Sequence, residues 1–332
     1  MSHTPVVLGL DFGGTKIATA VCDLAGARLA SAVVDARGEQ GARATFDRGV
    51  RAARELLAET AASDMLAAVG VATFGIPFED RVDLAPAISG WSALPIGAEL
   101  RRAFPGTPVT MATDAKAAAA AEVRWGALAG YDPAIYLNLG TGLATAIVSG
   151  GKVIHGRDGA SGEIGYSLRS PADVAVPDGQ RVILEDMVSG LALARRAADA
   201  GQGLTAAEVF AAGPDDRAMA EMITDFVDEL AFHLVNAAIL INPARIAVGG
   251  GMVGSWDRIG PRLAEALRRA VPFPPELVIA QFPQDAPLLG AIALAVDAAT
   301  EDGHAALLTV KADKARPGSV TEPAINNEGI AV

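Results

Sequence analysis

Two segments of this 332-residue chain repeat one arrangement, and the repeat limits the folds open to it more than any other feature. Val6 to Leu10 is a short apolar run, Asp11-Phe12-Gly13-Gly14-Thr15-Lys16 interrupts it, and Ile17 to Cys22 resumes in strand-forming residues. Ile135 to Leu139, Gly140-Thr141-Gly142 and Leu143 to Val148 do the same. Set side by side with one gap, Leu10 to Val21 matches Leu137 to Ile147. Apolar run, glycine turn and second apolar run read as a β-hairpin. Two copies read as an internal duplication, with chance similarity of glycine-rich hairpins as the competing explanation.

Around the hairpins strand-like and helix-like stretches alternate, as in an α/β protein. Arg43 to Ala62 carries Phe46, Val50, Ala53, Leu56 and Leu57 at helical spacing, ahead of a strand at Leu66 to Thr73. Asp80 to Pro105 is rich in turn formers and reads as irregular. Val109 to Ala112 reads as a strand running into Thr113-Asp114 and the alanine-rich helix Ala115 to Ala129. Further helices are expected at Glu185 to Ala200, Thr205 to Ala212, Asp216 to Ile241, Pro261 to Ala270 and Leu288 to Ala299, with strands at Ile246 to Val248 and Leu277 to Phe282. The pattern divides into a small N-terminal domain, 1–112, closed by the C-terminal helix 286–300, and a large domain, 113–285, facing it across a cleft. Residues 301–332 lose all periodicity and are expected to form a flexible tail.

Composition narrows the function. A hydrophobic share of 51% supports two buried cores. Lys and Arg number 27 against 39 Asp and Glu, a net charge of −12 with no basic run, which argues against a nucleic-acid surface. Cys22 is the single cysteine, so neither an internal disulfide framework nor a cysteine-based zinc knuckle can form. The opening MSHTPVVLGL lacks the regions of a signal peptide, and no apolar stretch reaches the ~20 residues of a spanning helix. The expectation is a soluble cytoplasmic protein without membrane contact.

Phosphates need backbone N–H donors at close range, and turns without side chains provide them. Asp11, Gly13, Gly14, Thr15 and Lys16 add a hydroxyl, an amine and a carboxylate to such a turn. The carboxylate of Asp11 can hold Mg²⁺ through water while Thr15 and Lys16 face phosphate; a tight turn with a solvated lysine is the plainer reading. Gly140, Thr141 and Gly142 lack the other residues of a dinucleotide fingerprint or P-loop. Gly249, Gly250 and Gly251, after a strand, could admit a base or ribose or simply connect two elements.

The order and spacing of the three turns resemble the phosphate and adenosine motifs of sugar kinases with the actin and hexokinase fold. More closely, VGVATFG, ISGW, TDAKAAAAAE, GASGEIGY, ILEDMVSG and VGGGMV are similar to successive signatures of the ROK family of kinases and repressors, from about residue 6 to about residue 298. The resemblance implies a two-domain actin-like ATPase (ribonuclease H-like) α/β fold with an interdomain cleft. It implies Asp114 as the base that takes the proton of a sugar hydroxyl, in a motif resembling the family's Asn-Asp-Ala-Asn. Glu163 and Glu185 would accept hydrogen bonds from sugar hydroxyls, and Gly75 would let backbone approach the ring. Thr113 stands where the family has a sugar-contacting Asn, and Tyr166 where its His contacts sugar and binds zinc. The family's Cys-x-Cys-Gly cluster is missing from Ser170 to Ile183, and Ala144 replaces a glycine near the second phosphate turn. Most departures fall on the acceptor side, which points to an altered acceptor.

The expectation is therefore an ATP-dependent, glucokinase-like kinase for a hexose or hexose-like polyol (sugar, aminosugar or cyclitol), using Mg²⁺ and no zinc, with a homodimer compatible. A repressor would need a helix-turn-helix domain ahead of the first turn, for which Met1 to Pro5 leaves no room. A catalytically silent or regulatory sugar-binding protein would be marked by loss of Asp114 or the first turn, and both are present.

Overall fold

The computed structural model describes residues 4–300 apart from 61, 63, 64, 178, 214, 215 and 284, so the tail expected over 301–332 lies outside the described residues. In chain order the elements are β1 (Val6–Phe12), β2 (Lys16–Asp23), β3 (Arg28–Asp35), α1 (Ala42–Glu59), β4 (Leu66–Thr73), β5 (Ile76–Pro77), β6 (Val82–Asp83), α2 (Ile96–Ala103), β7 (Val109–Thr113) and α3 (Asp114–Trp125). There follow β8 (Ala134–Leu139), β9 (Leu143–Ser149), β10 (Lys152–Val153), α4 (Gly190–Asp199), α5 (Ala206–Ala212), α6 (Arg217–Ile241), β11 (Arg245–Gly249), α7 (Trp256–Ala270), β12 (Glu276–Ile279) and α8 (Ala286–Ala299).

The two hairpins seed two five-stranded sheets of the same order, β3-β2-β1-β4-β7 and β10-β9-β8-β11-β12. In each, the hairpin pairs antiparallel and the next two strands add in parallel. This is the actin-like two-sheet α/β fold. Parallel strands buried on both faces read as apolar runs, which is why β1 and β4 are nearly uninterrupted.

One face of the first sheet packs on Phe46, Val50, Leu56 and Leu57 of α1, and the other on Leu288, Ile292, Ala295 and Val296 of α8. The second sheet packs Ile135, Leu137 and Leu139 against α4, α6 and α7, and turns Tyr136, Ala146 and Val148 to α3. Helices α3 and α8 cross between the sheets through residues without bulk. A Cβ on Gly290 would lie 1.7 Å from the Ala117 carbonyl oxygen, so only glycine fits that crossing.

The structure differs from the sequence reading in five places. Asp80 to Pro105 is not all irregular: α2 forms there and buries Ile96 and Leu100. Strand β3 was not read from the sequence, because its residues alternate between exposed and half-buried without a strong apolar run. The helix expected from Glu185 is a 3-10 turn over Leu184–Asp186, then α4 from Gly190, started by the Ser189 hydroxyl accepting from the Ala192 N–H at 3.1 Å. Helix α3 stops at Trp125 instead of Ala129, and α7 starts at Trp256, five residues before Pro261.

Candidate active site

Each glycine turn closes on itself. The Gly13 N–H donates to the Lys16 carbonyl oxygen at 3.0 Å, and the Gly140 N–H to the Gly142 carbonyl oxygen at 3.1 Å. Gly14, Thr15 and Lys16 stand exposed at the first tip. The second tip is held from behind, since the first N–H groups of α4, from Gly190 and Leu191, donate to the carbonyls of Gly140 and Thr141 at 2.8 and 3.2 Å. Gly140 also lies against the third turn, where its Cβ would sit 3.6 Å from the Gly251 nitrogen. Gly250 is in the left-handed region at φ 90°, and Gly249 is pinned under the Tyr136 hydroxyl. The structure thus brings Gly140, Thr141 and Gly142 together with Gly249 to Gly251.

Asp114 opens α3 directly after β7. Its Oδ1 accepts from the Ala115 N–H at 2.7 Å, while the buried Thr113 caps the helix, its hydroxyl accepting from the Lys116 N–H at 3.3 Å. Burial pushes the Asp114 carboxyl up to about 6, with the charges of Glu163 and Glu185 adding to it and the Ala115 N–H and Lys116 opposing it. Asp11, at the end of β1, is pushed up to about 7 by burial and then by Asp114, against the pull of Lys16. Glu185 also rises, through burial first; its Oε2 accepts from the Leu143 N–H at 2.6 Å. These influences place Asp11, Asp114, Glu163 and Glu185 in one neighbourhood between the two sheets.

Glu163 precedes the 3-10 turn Ile164–Tyr166, and Tyr166 closes that turn with its N–H donating to the Glu163 carbonyl oxygen at 3.1 Å. The loop is anchored by Thr145, whose N–H and hydroxyl both donate to the Gly162 carbonyl oxygen, at 2.8 and 2.7 Å. Gly75 is left-handed at φ 76°, and a Cβ there would lie 2.5 Å from Ala85 Cβ, so its own turn demands glycine whatever binds nearby. The stretch after Tyr166 folds as a turn over Pro171–Ala175, and Arg169 ties it to Glu229 of α6. Among the described residues no group of three or more His, Cys, Asp or Glu side chains is arranged to hold a metal ion.

The sequence reading missed Lys116. Its side chain is 1% exposed and its Nζ lies 3.1 Å from Glu163 Oε1. The signal was present, since TDAK ends in lysine where the resembled Asn-Asp-Ala-Asn motif ends in asparagine. It also missed Asn138, whose Oδ1 would lie 2.9 Å from a Cβ on Gly250.

Known proteins resemble the chain in sequence and in fold. The Brucella melitensis bifunctional enzyme NanE/NanK is 35% identical over 203 residues, which is 60% of this chain and 38% of that protein, so the chain spans about two fifths of its length. The kanosamine kinase of Amycolatopsis mediterranei is 29% identical over 82% of this chain and 91% of its own. The crystal structure of a ROK family glucokinase from Streptomyces griseus, in complex with glucose and AMPPNP, superposes with a TM-score of 0.69 at 29% identity, over 87% of this chain and 99% of that one. Among the described residues no helix is long and apolar enough to cross a membrane. A profile of the ROK family matches residues 7–298, and the chain belongs to the ROK family.

Proposed function

We propose that the protein is an ATP-dependent carbohydrate kinase that phosphorylates a hydroxyl of a hexose or hexose-like polyol, with Asp114 as general base. The observation that carries this is Asp114 itself: a carboxylate at a helix start, half-buried among Glu163 and Glu185, with a carboxyl pushed up to about 6. A base with that affinity for protons is ionised at neutral pH and can still accept a proton from an alcohol as the new bond forms. In the reaction the acceptor oxygen forms a bond to the γ-phosphorus, the bond to the β-phosphate oxygen breaks, ADP leaves, and Asp114 receives the hydroxyl proton.

Gly13 to Lys16 on one side and Gly140 to Gly142 on the other would hold the phosphates, with Gly249 to Gly251 against the adenosine. Residues 1–112 with α8 would form one lobe and 113–285 the other. Asp11 fits a divalent cation: a hard oxygen donor whose carboxyl is held near 7 by burial and by Asp114 gains from a positive charge beside it. Mg²⁺ there would neutralise the phosphate charge that builds during transfer. Glu163, Glu185, Tyr166, Thr113 and Gly75 would line the acceptor side.

The testing experiment is a turnover screen with Mg-ATP over hexoses, aminosugars, N-acetylated sugars and cyclitols. Phosphorylation of at least one, lost in Asp114→Asn, is the expected result. Turnover of none, or an Asp114→Asn variant as fast as wild type, would exclude the reading.

A further inference from the structure

Lysine is among the residues least often fully buried, and when it is, its ammonium has to be paired. Lys116 is such a case, 1% exposed on the first turn of α3, two residues after Asp114. Its Nζ lies 3.1 Å from Glu163 Oε1 on the loop after β10, 47 residues away in sequence. The pair therefore joins the helix that presents the proposed base to the loop that presents a proposed acceptor contact. Lys116 is too deeply covered to meet a bound polyol, whereas Glu163 is 19% exposed and can.

We propose that Lys116 is a positioning residue for the acceptor: it engages one carboxylate oxygen of Glu163 from beneath, so that the other oxygen alone is presented to one substrate hydroxyl. This rests on the kinase reading and deepens it on the acceptor side. A carboxylate with both oxygens free can turn and accept from two neighbouring hydroxyls, as glucose-type rings offer them. A carboxylate with one oxygen fixed cannot, and it discriminates at a single hydroxyl. Two further observations agree. The positive charge of Lys116 opposes the upward push of Glu163 and Glu185 on Asp114, so it reaches the proposed base as well as Glu163. Its charge also adds to burial in lowering the imidazole of His155, at the start of the same loop. Removing the ammonium would leave Glu163 and the other acids without a counter-charge in a partly buried site, free to reorient.

The test is a double-mutant cycle in the full chain, Lys116→Met, Glu163→Gln and the pair, with Lys116→Gln as the variant that keeps an N–H donor. The readouts are KM for the best acceptor of the screen, KM for ATP, kcat and the melting temperature. If Lys116 acts through Glu163, Lys116→Met raises acceptor KM about tenfold or more and leaves ATP KM within about twofold. Adding Glu163→Gln then costs no more than about threefold further, and Lys116→Gln restores part of the loss. Multiplicative effects in the double variant, an ATP KM that rises in step, or an unchanged acceptor KM each overturn the proposal. Should Lys116→Met fail to fold, Lys116→Leu, which also lacks a donor, against Glu163→Gln completes the same cycle. Coupling seen in melting alone, with KM unmoved, refutes the positioning role and leaves the kinase reading standing. A wild-type enzyme that phosphorylates nothing in the screen refutes both.

Discussion

The two sheets share a strand order and differ in what they carry. At the matched positions of the two hairpins Asp11 faces Asn138 and Lys16 faces Gly142, so the charged groups belong to the first turn alone. The helix starts differ in the same way. Asp114 follows β7, half-buried among acids, while Asp285 precedes α8 in the second half, 56% exposed and 3.6 Å from Arg28. The first half passes from β3 to α1 within a few residues; the second inserts a long segment between β10 and α4 that supplies Glu163 and Glu185. A duplicated scaffold thus gives two equivalent frames for turns and helix starts, and the chemistry is placed asymmetrically on them. The first half brings the proposed base and the charged turn, and the insertion in the second brings the proposed acceptor contacts.

The sharpest break of that comparison is at the helix starts. Asp114→Asn is expected to lower turnover by about a thousandfold, because the amide keeps the shape and loses the proton acceptor, with acceptor binding changed by a small factor. Asp285→Asn is expected to stay within about threefold, since an exposed pair contributes little. Steady-state kinetics with both variants decide it; equal losses would mean that the two aspartates share one role.

The turns come next. A Cβ on Gly13 would lie 2.8 Å from the Lys16 carbonyl oxygen, inside the bond that closes the turn, whereas one on Gly140 meets nothing nearer than 3.6 Å. Gly13→Val is expected to raise ATP KM by about a hundredfold through displacement of the turn. Gly140→Ala is expected to change it only by a small factor. ATP titration of the folded variants measures this, and a tolerant Gly13 would remove the first turn from nucleotide binding.

The hairpins, β4 and α3 were legible in the sequence because buried parallel strands and alanine-rich helices leave long unmixed runs. Helix α2 was not, since Gly97 and two arginines dilute its short apolar face of Ile96 and Leu100, and Pro95 hides its start. The boundary at Gly190 was missed because Leu184, Val188, Ala192 and Leu193 continue at apolar spacing, although the Ser189 cap and the close fit of Gly190 on the Gly140 carbonyl set it. Among the proposed site residues, Asp11, Asp114 and the glycines announced themselves by motif. Lys116 did not, since a lysine on a helix reads as solvated until its distant partner is known.

Acceptor choice is expected to follow the asymmetry at about tenfold. Thr113, standing for an amide in the resembled motif, is buried with its hydroxyl engaged as a helix cap, and Tyr166 stands for an imidazole. If these two residues line the acceptor side as proposed, the donor and acceptor set around the ring would differ from the one the family motif implies, and mismatched polar contacts in a pocket are costly. Glucose is therefore expected not to lead the panel in kcat/KM, with an amino, epimeric or carbocyclic analogue ahead of it. A glucose lead of tenfold or more over every alternative would show that Thr113 and Tyr166 are tolerated without consequence.

The smallest effect is thermodynamic, and it separates the two halves by charge. Asp11 and Asp114 have carboxyls pushed up to about 7 and about 6 in the folded chain, both above the ordinary aspartate value of 3.8. A raised acid binds its proton more tightly in the folded chain than in the unfolded one, so its contribution to stability is complete below about pH 4 and is lost as pH rises through 6 and 7. Asp285 shows no comparable burial, and its side chain is paired. Replacing Asp11 and Asp114 by Asn removes the ionisation that weakens the fold at high pH and keeps an oxygen for the Ala115 N–H. The double variant is expected to melt at least about 2 °C above wild type at pH 8 without nucleotide, with the gain shrinking toward pH 4. Asp285→Asn, which removes only the smallest of the charges that push the Asp11 carboxyl up, is expected to show the same trend to a much smaller extent. A gain that is flat with pH, or one that appears equally at Asp285, would mean that the charge stored between the sheets is not confined to the half that holds the base.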